Sequence, residues 1–157
     1  LKDGRNKVII EALDNMENKI KETFEVTYMN SIEIKLFIGK NYFYVNDKLK
    51  KMDVPPIIIN GRSFVPVRFI VEGMGGKVRW NRVERSVEIV YKDNNIKLWI
   101  GKEIALLNGK KIPIDEDLRV KPFIANGRTM LPVRFIAKVF DFSVSWDPFE
   151  RSVTLKN

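Results

Sequence analysis

The feature that most limits what this chain can fold into is a phrase it contains twice. "NGRSFVPVRFIVEGMGGKVRWNRVERSV" occupies residues 60–87, and "NGRTMLPVRFIAKVFDFSVSWDPFERSV" occupies residues 126–153. Aligned at an offset of 66 over residues 60–89 and 126–155, the two stretches share 14 of 30 residues. The shared ones are Asn-Gly-Arg, Pro-Val-Arg-Phe-Ile, one Val, a Trp and Glu-Arg-Ser-Val. Upstream, "IKLFIGK" at residues 34–40 returns as "IKLWIGK" at residues 96–102, at an offset of 62, so four residues are inserted in the second copy near "IPIDEDL", residues 112–118. Self-similarity at this period implies one supersecondary unit of about 60 residues built twice, each copy too small to bury much surface alone and so packed on its neighbour.

Each copy has its own grammar. Ile32, Ile34, Leu36 and Ile38, and again Ile96, Leu98 and Ile100, alternate with other residues and predict a strand with one buried face. A Gly turn, a second short strand at residues 42–45 or 104–107, and Asn46-Asp47 or Asn108-Gly109 as a hairpin signal follow. "VPPIIINGR" and "VKPFIANGR" read as an edge strand running into a tight turn, because proline withholds ladder donors and Asn-Gly tolerates positive φ. Pro66 and Pro132 stand where a helix starts, with Val67, Ile70, Val71, Met74 and Val133, Ile136, Ala137, Phe140 at helical spacing behind them, which predicts a two-turn helix. Strands through Val78 and Trp80, and through Val87, Ile89 and Tyr91, close the first unit; Val144, Trp146, Val153 and Leu155 close the second. The fold class expected is α+β, two tandem units, each an antiparallel β-sheet packed around one short α-helix.

Residues 1–30 stand outside the repeat. Ile9, Leu13, Met16, Ile20 and Phe24 mark one face of an amphipathic helix of about five turns, whose stripe needs a partner. The layout expected is an N-terminal helical segment at 1–30, a first repeat at 31–93 and a second at 94–157. A chain that opens at Leu1 reads as a piece of a longer protein, since "LKDG" is not the start of a signal peptide.

Composition narrows the chemistry. There is neither histidine nor cysteine, which removes the usual zinc, copper and iron–sulfur ligands, cysteine nucleophiles and imidazole catalysis. The net charge of +8, from 28 Lys+Arg against 20 Asp+Glu, favours polyanionic partners without naming one. No run approaches the roughly 20 apolar residues of a membrane span.

Asn-Gly-Arg, a short gap, Pro-Val-Arg-Phe-Ile, and a Trp ahead of a Ser-Val strand, given twice over residues 32–156, resemble the copper amine oxidase N-terminal-like domain, also called the stalk domain. The resemblance implies a sheet wrapped on a helix, found in tandem on secreted and cell-surface bacterial proteins. It implies no catalysis and no cofactor, because amine oxidation resides in a separate domain with three histidine copper ligands and a tyrosine-derived quinone. Asn41-Tyr42 is not that quinone motif: Ile38 stands where Thr is required and Phe43 where a carboxylate is.

Several side chains qualify as binding groups. Arg62 and Arg128 in the turns, with Arg68 and Arg134 on the helices, offer planar bidentate donors for phosphate or carboxylate; alternatively they brace the turns or pair with Glu84 and Glu150. Phe37, Trp99, Tyr42 and Tyr44 are a possible aromatic surface, or the contact between units. Trp80 and Trp146 fall in phase with Val78 and Val144 and are expected in the core rather than stacked on a sugar. Asp115, Glu116 and Asp117 match no calcium loop and read as a solvated acidic turn; a carboxylate-pair hydrolase there has only residue types in its favour. The leading expectation is a non-catalytic extracellular stalk or attachment module of a bacterial surface or secreted protein, acting as a spacer or binding cell-wall polymer or a protein partner, with a basic nucleic-acid-binding protein as the alternative.

Overall fold

The structure, a computed structural model, describes residues 4–14, 19–28 and 31–157. It forms two compact units, Leu1–Ser31 and Ile32–Asn157.

The first unit corrects the helix expected over residues 1–30. Strands β1 (Gly4–Leu13) and β2 (Lys19–Tyr28) pair antiparallel as a hairpin. Apolar residues four apart satisfy a helix, but four is also an even number, so Ile20 and Phe24 share one face of a strand just as well. Val8 lies opposite Phe24 and Ala12 opposite Ile20, whereas Lys7 faces Glu25 and Glu11 faces Lys21 on the other side. Glu11 accepts from Lys19 at 2.9 Å and from Lys21 at 3.0 Å, and these two ammoniums hold its carboxyl below the usual range. The supposed stripe is thus split: Ile9 and Leu13 lie on the charged face, and Ile20 and Phe24 on the apolar one. Met16 lies outside the described residues.

The second unit holds both repeats. The first contributes β3 (Glu33–Phe37), β4 (Tyr42–Val45), β5 (Lys48–Lys51), β6 (Ile57–Ile59), β7 (Arg62–Pro66), α1 (Val67–Gly73), β8 (Lys77–Asn81) and β9 (Ser86–Tyr91). The second contributes β10 (Asn94–Trp99), β11 (Ile104–Leu107), β12 (Lys110–Pro113), β13 (Phe123–Ala125), β14 (Arg128–Pro132), α2 (Val133–Phe140), β15 (Ser143–Asp147) and β16 (Ser152–Lys156). The mostly antiparallel α+β architecture, the two short helices and the edge position of β6 and β13 match the sequence reading. The hairpin signals lead into β5 and β12, which the sequence does not mark as strands because Lys48-Leu49-Lys50-Lys51 lacks the alternation of a half-buried strand; β7 and β14, between the Asn-Gly turns and the helices, are further strands not expected from sequence.

The repeats exchange their closing hairpins. One five-stranded sheet runs β12-β11-β10-β9-β8, joining the end of the first repeat to the start of the second. The other runs β15-β16-β3-β4-β5, so the end of the second repeat returns to the start of the first. Between them lies a four-stranded sheet, β13-β14-β7-β6, in which Leu131 pairs with Val65, Met130 with Pro66, and Pro132 with Phe64. Val65 and Leu131 are each other's equivalents at the offset of 66, and the pairs on either side, Met130 with Pro66 and Phe64 with Pro132, map onto each other, so a pseudo-twofold axis passes between Val65 and Leu131, the isologous geometry of a homodimer within one chain. The boundary between residues 93 and 94 lies in the tight turn joining β9 to β10 inside one sheet.

One core runs through this arrangement. Ile34, Leu36, Val65, Ile70, Ile96, Leu98, Leu131, Ile136 and Leu155 are all but completely buried in it. A smaller cluster, Val54, Phe64, Val120 and Met130, is again made of equivalent pairs. Neighbouring positions trade bulk: Gly73 leaves room 3.2 Å from Val45 and 3.4 Å from Phe43 for a Cβ it lacks, whereas the second repeat has Val139 with Ala105 at the equivalent places. Conserving volume across a contact in this way is what a close-packed interior requires.

Candidate functional site: two grooves between the repeats

The shared Asn-Gly-Arg phrase builds a turn and a clamp. Asn60 and Asn126 take φ of 48° and 45°, followed by Gly61 and Gly127 at 71° and 75°, which aims the next arginine across the repeat boundary. Arg62 donates from Nε and Nη2 to the two carboxylate oxygens of Asp115 at 3.0 and 3.1 Å. Arg128 donates from Nε to both oxygens of Asp53 at 3.0 Å, with its guanidinium carbon 5.6 Å from the centre of the Phe69 ring. Asp53 and Asp115 are equivalents at the offset of 62, so each repeat gives an arginine and receives one. The guanidinium beside each holds both carboxyls below the ordinary carboxylate range.

The shared Glu-Arg-Ser-Val phrase makes a second pair of crossings. Lys97 reaches Glu84 at 2.7 Å, and Lys35 pairs with Glu150. Buried Ser86 and Ser152 donate to the same glutamates at 3.0 and 3.3 Å. Arg85 and Arg151 take positive φ, 50° and 51°, and their carbonyls accept from Ile100 and Ile38 of the opposite repeat at 3.0 and 2.9 Å. Glu84 and Glu150 therefore take lysines and not the arginines weighed from sequence. Lys97 holds the Glu84 carboxyl low, and the glutamates hold both lysines above their usual values.

These crossings frame two grooves of about 330 and 290 Å³. The first is lined by Ile58, Arg62 and Ser63 from one repeat and by Arg134, Val144 and Trp146 from the other. Its twin is lined by Ile124, Arg128 and Thr129 facing Arg68, Val78 and Trp80. These residues correspond one for one at the offset of 66. The four arginines singled out from sequence are thus all brought to grooves, but regrouped: Arg62 with Arg134, and Arg128 with Arg68.

Trp80 and Trp146 are not the core residues the sequence suggested, being 40% and 44% exposed. Trp80 pairs with buried Val87 and Trp146 with buried Val153, so both face inward, but from the edge strands β8 and β15, where they line the grooves at the margin of the core. Sequence phase gives the face of the sheet; distance from the core's centre needs the fold.

The aromatic surface is only partly assembled. Phe37, Tyr42 and Tyr44 cluster on one sheet, with ring centres 5.4 to 6.3 Å apart, beside exposed Leu49. Trp99 lies on the other five-stranded sheet, where Lys97 sits 5.6 Å from its ring centre. The acidic loop is spoken for as well: Asp115 holds Arg62, and Asp117 binds Arg119, which lowers its pKa to about 2. Among the described residues no cluster of three or more His, Cys, Asp or Glu is placed to hold a metal. A copper site finds no imidazole donors in this chain. Among the described residues no helix is long and apolar enough to cross a membrane.

The fold is a duplicated α+β unit closed by repeated Asn-Gly-Arg and Glu-Arg-Ser-Val contacts. The sequence profile of the copper amine oxidase N-terminal domain matches residues 6–89 and 45–155, and the chain belongs to that family, a part of those enzymes that is itself non-catalytic. Among curated proteins none matches the chain.

Proposed function

We propose that the protein is a non-catalytic attachment module of a bacterial surface or secreted protein, which spaces a neighbouring domain and binds anionic cell-wall polymer at the groove surface between its repeats. The observation that supports this reading best is the twofold recurrence of one groove type, an exposed Trp edge beside a pair of arginines, on a framework locked across the repeat boundary. A rigid framework suits a spacer, an aromatic face suits a sugar ring, and guanidinium suits carboxylate or phosphate. The net charge of +8 assists encounter with a negatively charged wall.

Retention on isolated cell walls and on duplex DNA, each measured across a salt series, tests the reading. Retention on walls that survives physiological salt is expected. Retention on DNA alone, falling steeply with salt as counterion release demands, would replace the attachment module with the nucleic-acid-binding alternative. Binding to neither would reduce the protein to a spacer.

A further inference from the structure

The two grooves are equivalent in backbone but not in charge. In the smaller one, Arg128 is held by Asp53 and feels Glu72, and Arg68 lies 3.9 Å from Glu72 one turn along α1. Both cations of that groove are therefore matched by carboxylates. In the larger one, Arg62 is likewise held by Asp115, and Glu116 and Asp117 add to the acidity around it. Arg134 differs. It is exposed, has no carboxylate within ion-pair distance among the described residues, and the position of Glu72 is taken by Lys138. Arg134 and Lys138 also line the adjoining cleft, where Glu116 is the one carboxylate not paired to an arginine.

We infer that the groove of Arg134 and Trp146 is an acidic-sugar subsite, taking a pyranose ring on Trp146 and its carboxylate on Arg134, while the twin groove of Arg68 and Trp80 does not hold the anion. Beside Arg134 the neighbour one turn along is the cation Lys138, which attracts an anion, whereas beside Arg68 it is the carboxylate of Glu72, 3.9 Å away, which repels one. Trp146 supplies an apolar plate with a polar edge, the surface a sugar's C–H face covers well. The Ser63 hydroxyl, on the opposite wall of the same groove, suits a ring hydroxyl. This inference rests on the attachment-module reading for its wall ligand, but the site is defined by its own chemistry.

The test is calorimetric titration of the full chain with hexagalacturonate, with neutral maltohexaose and with inorganic polyphosphate, alongside wall retention. Hexagalacturonate is expected to bind best, because ring and charge are both needed. Trp146→Ala and Arg134→Gln should each weaken it roughly tenfold, the size of a lost charged hydrogen bond or aromatic stack. Trp80→Ala and Arg68→Gln, made at the equivalent positions, should change it less than about twofold. Glu72→Lys, which copies Lys138 into the twin groove, should create a second binding event. The arginine and glutamate variants are surface changes and the tryptophan variants lie at the margin of the core, so a cooperative melting transition in each variant certifies its folding. Equal binding of maltohexaose or of polyphosphate overturns the inference, as does equal loss from the two sets of variants. Wall retention unmoved by Trp146→Ala and Arg134→Gln also sinks the subsite while leaving the attachment reading intact. Hexagalacturonate binding without wall retention does the reverse, and failure of both overturns both.

Discussion

The two repeats fold alike, yet the residues they hold in common are not spread evenly. The ion pairs that close one repeat on the other with twofold recurrence use identical residues: Arg62 and Arg128, Asp53 and Asp115, Lys35 and Lys97, Glu84 and Glu150. Other positions, in the core and on the surface, differ: Gly73 against Val139, Gly76 against Phe142, Tyr42 against Ile104, Glu72 against Lys138. Closure needs the same groups twice because the axis makes each contact occur twice. Packing needs only the right total volume, and the outer surface needs only solubility, so both tolerate drift.

The largest effect expected on that comparison comes from the core. Ile70→Ala and Ile136→Ala, at equivalent and almost fully buried positions, should each cost about 2–5 kcal/mol. Because both side chains enter one core, calorimetry should show a single transition for residues 32–157 that shifts down by a similar amount in either variant. Two separate transitions, with only the mutated repeat melting early, would mean that the exchanged hairpins do not couple the repeats.

The next test concerns a residue the repeats do not share. A Cβ at Gly76 would lie 2.7 Å from Val71 Cγ1 and 2.9 Å from the carbonyl oxygen of Val90, so Gly76→Ala should cost about 1–3 kcal/mol through overpacking. The second repeat carries Phe142 at this place, 8% exposed and against the Tyr91 ring at 6.3 Å, so Phe142→Gly should cost more, about 3–5 kcal/mol, by the opposite mechanism, a cavity. Chemical-denaturation midpoints decide it; a silent Gly76→Ala would show that β9 yields easily there.

Much of this was legible in the chain. Repeat, turn and helix signals are local, and each stands at its expected place to within a residue or so, as with Pro66 and Pro132, which end β7 and β14 one residue before the helices. What stayed hidden was partner choice. Nothing in Ser152-Val153-Thr154-Leu155 says that it pairs with β3 rather than with a strand of its own repeat, since any half-buried strand of the right phase fits. The lysines of Glu84 and Glu150 stayed hidden for the same reason, as did the pairing of Arg62 with Arg134, which the exchange alone brings about. The hairpin at residues 4–28 was missed because an even spacing serves strand and helix alike.

Acid titration probes the clamps. Arg128 and Arg62 depress the folded pKa of Asp53 and Asp115 below the ordinary aspartate value of 3.8, so their contribution is complete above about pH 4 and disappears as pH falls through the folded values. The Asp53→Asn and Asp115→Asn double variant should be less stable at neutral pH and lose less on acidification below pH ~4. Parallel acid-unfolding curves for variant and parent would show that the clamps do not tie the repeats together thermodynamically.

The smallest expected effect falls where the pseudo-symmetry ends. Tyr91 packs edge-on against Phe140 at 5.2 Å, joining β9 of the first repeat to α2 of the second, yet its hydroxyl is buried with no hydrogen-bond partner among the described residues. Its equivalent is Asn157, whose amide oxygen accepts from the Ile32 N–H at 2.7 Å and so performs a different task. An unpartnered buried hydroxyl carries its desolvation cost without return, whereas the ring alone supplies the contact between repeats. Tyr91→Phe should therefore leave stability unchanged or raise it by up to about 1 kcal/mol, while Tyr91→Ala should lower it by about 3–5 kcal/mol. A loss on Tyr91→Phe would mean that the hydroxyl has a bridging water, and that polar contact would then join the inter-repeat closures.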